Sequence, residues 1–163
     1  FLDGNNGCGK SSLIKSILAQ VNGKTERELN YEITGTLSVV SGLKISYISQ
    51  ETSHLRGTLK AYAEKNDIDY TLLLTLLRQL DFSRVQFGKD MIEFSEGQKK
   101  KVLIASSLLT PAHIYIWDEP LNYIDVFSRM QIEKLLMHYA PTMLIVEHDV
   151  KFKEAIATKL VKM

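Results

Sequence analysis

Hydrophobic positions recur along the chain with two different periods, and their alternation predicts the order of the secondary structure. Short segments that are apolar at successive positions predict buried strands at 45–49, 114–117 and 142–146. Apolar residues spaced by three and four predict helices over 13–21, 97–109 and 125–139. Further strands are predicted at 36–40 and, at the end of the chain, at 160–163. Buried strands that alternate with helices are typical of an α/β fold, with a mainly parallel sheet flanked by helices.

The segment between residues 51 and 94 interrupts this alternation because it contains no comparable apolar strand. Between residues 58 and 80 the pattern is helical, which predicts a mostly helical insertion. The predicted division of a single domain over 1–163 is a core of 1–50 and 99–163 with a small helical subdomain of 51–98.

Composition excludes few classes of protein here but favours a cytoplasmic one. The 163 residues are 45% hydrophobic and 24% charged, as in ordinary globular domains. A net charge of +1 predicts affinity for neither nucleic acid nor a membrane surface. The single cysteine excludes an internal disulfide and fits a reducing cytoplasm. The longest aliphatic run, near 72–77, is far shorter than the roughly 18–20 residues of a membrane span, so we expect no direct membrane insertion.

A glycine-rich loop, GNNGCGKSS, precedes the first predicted helix and matches the phosphate-binding pattern GxxxxGK[ST]. Glycines let the backbone wrap around phosphates, and the helix adds the positive end of its dipole. Lys10 can reach the outer phosphates, and the Ser11 hydroxyl can ligate magnesium. The predicted nucleotide contacts in this loop are Gly4, Asn5, Asn6, Gly7, Cys8, Gly9, Lys10, Ser11 and Ser12. The alternative for the loop alone is a flexible turn, and for Cys8 a reactive thiol near a helix start.

Two carboxylates, Asp118 and Glu119, follow the apolar strand at 114–117. The first can hold magnesium, and the second can polarise the water that attacks a γ-phosphate. In a parallel sheet ligands bind at the carboxyl ends of strands, so the polar residues at the strand ends are expected to converge: Asp3-Gly4, Gln50, Asp118-Glu119 and Glu147-His148. A solvated acidic strand end is the alternative when the segment is taken alone.

The segment FSEGQ at 94–98 begins the next helix and offers a second anion site, because a serine and a glycine expose N–H groups there. A capping box between Ser95 and Gln98 accounts for the same residues without any ligand. The sequence of this segment leaves the two interpretations open.

Taken in order, GNNGCGKSS, Gln50, FSEGQ, IYIWDE, 121–125 and His148 resemble the motifs of an ATP-binding cassette (ABC) nucleotide-binding domain. The resemblance covers nearly the whole chain and implies a P-loop NTPase fold that binds ATP and Mg²⁺. Implied catalytic residues are Glu119, His148 and Gln50, and implied metal ligands are Ser11, Gln50 and Asp118. Ser95, Gly97 and Gln98 of the signature motif and Asp125 of the D-loop would contact ATP held by an opposing cassette.

In the resembled family, a strand region and an adenine-stacking aromatic residue precede the phosphate loop. Here only Phe1, Leu2 and Asp3 precede it. We therefore expect a fragment whose N-terminal strand region is truncated and whose adenine binding is weaker.

The interval from Gln50 to Ser95 is too short for the coiled coil of chromosome-maintenance ATPases, and the segment DEPLNYID is similar to the ABC-F class. The chain looks most like the second cassette of the antibiotic-resistance branch, although Leu121 and Tyr123 depart from the usual residues. That resemblance implies two cassettes in one chain, the ribosome as partner, and slow ATP hydrolysis by an isolated cassette. The alternatives are an ATP-binding subunit of a membrane transporter and a non-catalytic scaffold.

Three consecutive lysines, Lys99, Lys100 and Lys101, follow the signature motif. They predict a solvated helix face, and contact with RNA phosphates is the alternative.

Overall fold

The computed structural model describes residues 1–23 and 34–163. Its elements in chain order are β1 (Leu2–Asp3), α1 (Lys10–Val21), β2 (Ile45–Ile48), α2 (Leu59–Lys65), α3 (Tyr70–Gln79), α4 (Glu96–Leu109), β3 (Ile114–Asp118), α5 (Val126–Tyr139), β4 (Met143–Val146), α6 (Val150–Ile156) and β5 (Val161–Lys162). Two short 3₁₀ helices, Arg84–Gly88 and Met91–Glu93, connect α3 to α4.

The five strands form one parallel sheet in the order β2-β3-β4-β1-β5. The register places Ile48 beside Trp117, and Asp118 beside Val146. The carboxyl ends of these strands therefore lie along one edge, as the α/β prediction requires.

Helices cover both faces of the sheet because successive strand residues point to opposite sides. Leu2, Ile116 and Val146 share one buried cluster with Ile14 of α1. Residues one position away, such as Trp117 and Ile145, belong to a larger cluster that includes side chains of α4, α5 and α6. The predicted parallel sheet flanked by helices is confirmed.

The predicted helical stretch at 58–80 consists of two helices, α2 and α3, separated by 66–69. Asp67 has a φ of 53°, in the left-handed region that continues no right-handed helix. Asp69 then caps α3 by accepting a hydrogen bond from the Leu72 N–H at 2.9 Å. Both helices bury apolar side chains in the larger cluster, so that cluster spans the insertion and the sheet. The division into core and helical subdomain stays a prediction.

The strand predicted at 36–40 is wrong, because these described residues form no strand. A strand needs a neighbour to satisfy its backbone, and in the described residues none pairs with this segment. Val40 is 80% exposed, and Leu37 and Val39 are only partly buried. By contrast, the weak prediction at 160–163 is confirmed by β5, which pairs with β1 through Leu2–Val161.

Candidate nucleotide-binding site

The glycine-rich loop at residues 4–12 connects the end of β1 to the first turn of α1. Gly7 and Gly9 have φ values of 82° and 102°, a conformation that favours glycine. Gly9 is the N-cap of α1 and has no side-chain cap, so the helix start faces the loop directly. The first N–H groups of a helix have no acceptor within the helix and carry its positive dipole end. This local geometry suits an anion.

Lys10 is buried although its side chain is charged. Its ammonium donates to the carbonyl oxygens of Gly4 at 2.7 Å and Asn5 at 3.0 Å, so it folds back over the loop. Gly4 is tightly packed, since a Cβ there would lie 2.7 Å from Cys8 Sγ. The Cys8 side chain is exposed and lies 3.8 Å from the Lys10 ammonium. The loop thus holds one cation at its centre.

The ends of β2 and β3 bring polar side chains to this loop. Gln50 lies just beyond β2, and its Nε2 is 3.5 Å from Oδ1 of Asp118, the last residue of β3. Asp118 is 3% exposed. Burial, followed by the charges of Asp118 and Glu51, raises the pKa of Tyr47 on β2 to about 12. The tyrosine therefore stays neutral beside the carboxylate.

Glu119 has an unusual backbone and two side-chain partners. Its φ of 49° lies in the left-handed region, which is uncommon for a non-glycine residue and often marks a functional position. Its Oε1 is 3.5 Å from Nε2 of His148, which follows β4. Its Oε2 accepts a hydrogen bond from the Asn122 amide at 2.8 Å. The structure therefore brings Glu119 and His148 into contact, as the strand-end argument predicts.

A cleft of about 240 Å³ lies at this edge of the sheet. It is lined by Asn6, Gly7, Gly9, Lys10, Ser11, Ser12, Gln50 and Glu119. We call it the loop cleft. All eight belong to the predicted site, and Asp118 and His148 contact members of the set.

The signature residues lie at the start of α4 and do not line the loop cleft. Ser95 Oγ accepts from the Gln98 N–H at 3.3 Å, and Gln98 Oε1 accepts from the Ser95 N–H at 3.0 Å. The capping-box interpretation is therefore confirmed as a local structure, and it leaves the anion-site interpretation untested. A Cβ on Gly97 would lie 2.3 Å from the carbonyl oxygen of Tyr123, so glycine is required for this close approach.

Asp125 also lies outside the loop cleft, at the N-cap of α5. Its carboxylate accepts from the Ser128 N–H at 2.8 Å and pairs with the Lys101 ammonium at 2.7 Å. Burial raises the pKa of Asp125, but the hydrogen bonds from Lys101 and Ser128 outweigh it and hold that pKa below its ordinary range. Within this chain Asp125 is therefore a charged helix cap.

The predicted solvated face of the lysine run is wrong, and its RNA alternative fails with it. Lys100 is 1% exposed and Lys101 7%, while Lys99 pairs with Glu96 at 3.0 Å. Lys100 donates to the carbonyl oxygens of Ser49 at 2.9 Å and Glu119 at 3.3 Å. Charge alone suggested exposure, whereas the apolar periodicity of α4 would have placed position 100 on the face toward the sheet.

Glu147 received no role from the motifs, although the strand-end argument placed it at this edge of the sheet. Its buried carboxylate accepts hydrogen bonds from the N–H groups of Leu121 at 3.1 Å and His148 at 2.7 Å. It therefore connects the loop after β3 to the loop after β4. A carboxylate directly after a buried strand was the available signal, but His148 beside it had the resemblance to a known motif.

The oxygen atoms near the loop cleft fit a magnesium ion. Mg²⁺ in nucleotide sites takes one or two protein oxygens and completes its shell with phosphate oxygens and water. A hydroxyl from Ser11, an amide from Gln50 and a carboxylate from Asp118 provide that chemistry. In the described part of the chain, no cluster of three or more His, Cys, Asp or Glu side chains would hold an ion unaided.

The sequence matches a known protein family. A family model described as "ABC transporter" matches residues 1–122. Across residues 1–23 and 34–163, no helix has the length and apolar character needed to cross a bilayer.

Curated relatives cover nearly all of this chain. ATP-binding protein Uup of Buchnera aphidicola is 32% identical over 97% of this chain and 26% of its own length. Putative ATP-binding protein YdiF of Bacillus subtilis is 30% identical over 99% of this chain and 24% of its own length. Ribosome protection protein VmlR of Bacillus subtilis is 30% identical over 93% and 26%, respectively. These relatives are ABC-F proteins, and the chain spans about a quarter of their length.

Solved structures match the fold over almost the full chain. A structure titled "RNase-L Inhibitor" aligns with a TM-score of 0.73 and 28% identity, covering 99% of this chain and 31% of that one. The archaeal ribosome recycling factor aABCE1, solved with the ribosomal stalk protein aP1, aligns with a TM-score of 0.72 and 26% identity over the same shares. The ATP-binding subunit of an ABC transporter, with a TM-score of 0.75 at 22% identity over 99% of this chain and 72% of its own, supports the fold alone.

Proposed function

Because this chain belongs to the ABC transporter family of ATP-binding domains, we propose that it is one ATPase cassette of a twin-cassette ABC-F protein. In this proposal the protein works in the cytoplasm on the ribosome and protects it from an antibiotic. Two cassettes close on two ATP molecules, and hydrolysis reopens them. The chain supplies one complete phosphate loop and one signature face, which is the start of α4 with Ser95 and Gly97. We propose that it is the second of the two cassettes.

The arrangement of the loop cleft is the observation that carries the ATPase assignment. Lys10 is held over a loop that opens onto the start of α1, where phosphate groups bind. Glu119 reaches the same cleft and contacts His148 at 3.5 Å, which suits a base that orients water and a histidine that contacts the γ-phosphate. Ser11, Gln50 and Asp118 would hold Mg²⁺ through their side-chain oxygen atoms. When Mg²⁺ is bound to them, it neutralises phosphate charge.

A second cassette is required because Ser95, Gly97 and Asp125 lie outside the loop cleft of their own chain. Ser95 and Gly97 lie at the start of α4, whose N–H groups and dipole suit a phosphate brought by a partner. Asp125 is engaged by Lys101 and caps α5 beside this face. A single cassette is therefore expected to bind Mg·ATP but to hydrolyse it slowly.

The ribosome is proposed as the partner on two grounds. One relative at 30% identity is a ribosome protection protein, and one structural match is a ribosome recycling factor solved with a stalk protein. The DEPLNYID segment, which resembles the antibiotic-resistance branch, supports the same choice. A membrane transporter as partner is the competing outcome of the test below.

The test uses the full-length protein that contains this chain, with Glu119→Gln to keep ATP bound in the closed state. Cells are lysed in Mg·ATP, and the protein is followed through separated ribosomes and membranes. We expect it to sediment with ribosomes only when ATP is present, because closure requires nucleotide in both sites. Glu154→Gln, a change of an exposed glutamate on α6, is the matched control and should leave the wild-type distribution unchanged. ATP-dependent binding to membranes with empty ribosomes would replace the ABC-F proposal with the transporter.

A further inference from the structure

Lys100 lies directly beneath the ends of two neighbouring strands. It is the most buried lysine among the described residues, and its ammonium donates to the Ser49 and Glu119 carbonyl oxygens. Ser49 follows β2 and precedes Gln50, whereas Glu119 follows β3. One side chain of α4 therefore holds the two strand ends that carry Gln50 and Glu119.

The charge of Lys100 is placed among carboxylates. Burial lowers the pKa of Lys100, while Asp118, Glu119, Glu147 and Glu96 raise it and so favour its charged form. A buried charge is unfavourable unless hydrogen bonds and opposite charges compensate it. Both forms of compensation are present: two carbonyl oxygens accept hydrogen bonds from Lys100, and four carboxylates favour its charge.

Both backbone polar groups of Glu119 form hydrogen bonds. Its N–H donates to the Val146 carbonyl oxygen at 2.9 Å, and its carbonyl oxygen accepts from Lys100. The residue keeps a φ of 49°, a conformation that persists only where its surroundings enforce it. The direction of the Glu119 side chain therefore depends on this pair of hydrogen bonds.

We propose that Lys100 is a positioning residue of the ATPase, which fixes Gln50 and Glu119 relative to each other by bridging the backbone beside them. This inference rests on the proposed ATPase function. Lys100 does not line the loop cleft, and it acts through Ser49 and Glu119.

The test is Lys100→Met in the full-length protein, because methionine fills a similar volume without the charge or the donors. We expect kcat to fall by about tenfold to a hundredfold, the size of effect that small misplacements of catalytic groups produce. KM for ATP should change by less than about threefold, since the phosphate loop is intact. A residue that only supported the fold would lower the melting temperature and leave this division between kcat and KM absent.

Lys99→Met is the matched control, because Lys99 pairs only with Glu96 among the described contacts and should leave kcat unchanged. Lys100→Gln, whose amide retains two N–H donors but no charge, should lie between wild type and Lys100→Met, and it replaces the methionine variant if that protein does not fold. A kcat of Lys100→Met within about twofold of wild type overturns the proposal.

Hydrogen exchange separates this proposal from the ATPase assignment. Without nucleotide, Lys100→Met should speed exchange in peptides covering 48–52 and 118–122 and leave α1 unchanged. If the wild type has no ATPase activity, the assigned function fails, and the exchange result still decides whether Lys100 holds the two strand ends. Unchanged exchange in both peptides overturns that bridge.

Discussion

In the proposed function, the loop cleft and the signature face both contact ATP. Of the two, only the loop cleft forms an open site within the chain. At the loop cleft, groups from α1 and from the segments that follow β1, β2 and β3 converge on about 240 Å³ of open space. At the signature face, the start of α4, the polar groups already satisfy one another: Ser95 pairs with Gln98 in a capping box. Nearby, Asp125 at the start of α5 pairs with Lys101.

This difference has a physical origin. Parallel strands bring their carboxyl ends together without any partner, so a cleft forms as soon as the sheet forms. A helix start on the surface has N–H groups and a dipole but no opposing wall. Under the proposed function, Ser95 and Gly97 therefore contact nucleotide only when a second cassette provides that wall.

The largest expected effect is that of Lys10→Ala, which tests whether the loop cleft alone binds ATP within this chain. Removing the ammonium deletes charge-assisted hydrogen bonds to phosphate, each worth about 1.5–3 kcal/mol. We expect the Kd of this chain for Mg·ATP to rise roughly tenfold to a hundredfold. Titration calorimetry with purified protein measures it directly.

Two further variants frame that result. Lys15→Ala removes an exposed lysine from the same helix and should leave the Kd unchanged. Ser95→Ala should lower stability by about 1 kcal/mol through the lost cap, while leaving ATP binding by the single chain as it was. If Ser95→Ala weakened binding as much as Lys10→Ala, the two regions would belong to one site within the chain.

Gly97→Ala is expected to act on the signature face alone. The added Cβ would lie 2.3 Å from the Tyr123 carbonyl oxygen, which belongs to backbone and must shift. Overpacking of this kind lowers the free energy of unfolding by about 1–3 kcal/mol, measurable by urea denaturation. Gly88→Ala is the matched control because nothing lies within 4 Å of a Cβ there. Equal unfolding curves for the two variants would contradict the close approach of α4 to the loop at Tyr123.

The family and fold class were predictable because several ordered motifs depend on short, local sequence. The loop at 4–12, the strand at 114–117 and the polar residues after each strand required no knowledge of distant contacts. The contact of Glu119 with His148 follows from parallel strands whose carboxyl ends meet at one edge, whereas the order of the strands in the sheet was not predicted. The roles assigned to individual residues and the division into subdomains remain predictions.

What the sequence did not predict depends on tertiary environment. The segment 36–40 has strand-like composition but no partner in the described residues. Lysine is usually a surface residue, yet carboxylates that follow or end β3 and β4 stabilise the charged Lys100 in the interior. The break near Asp67 required a left-handed residue that helical spacing does not reveal. Each of these outcomes is decided by residues far away in sequence or by backbone strain.

The smallest expected effect on stability concerns Asp125, whose carboxylate pairs with the Lys101 ammonium within the chain. Its pKa is below the ordinary 3.8, so the stabilisation is present above that pH and is lost as the pH falls further. Asp125→Asn should therefore be less stable than wild type at about pH 7 and lose less stability between pH 7 and about pH 3. The difference should be modest because the side chain is about half exposed and water screens the pair. Lys101→Met removes the same ion pair by deleting its cation. It should likewise make the free energy of unfolding, measured by urea denaturation, less dependent on pH. Parallel pH curves for wild type and both variants would mean that Asp125 is not engaged within its own chain, and would leave its carboxylate available to a second cassette.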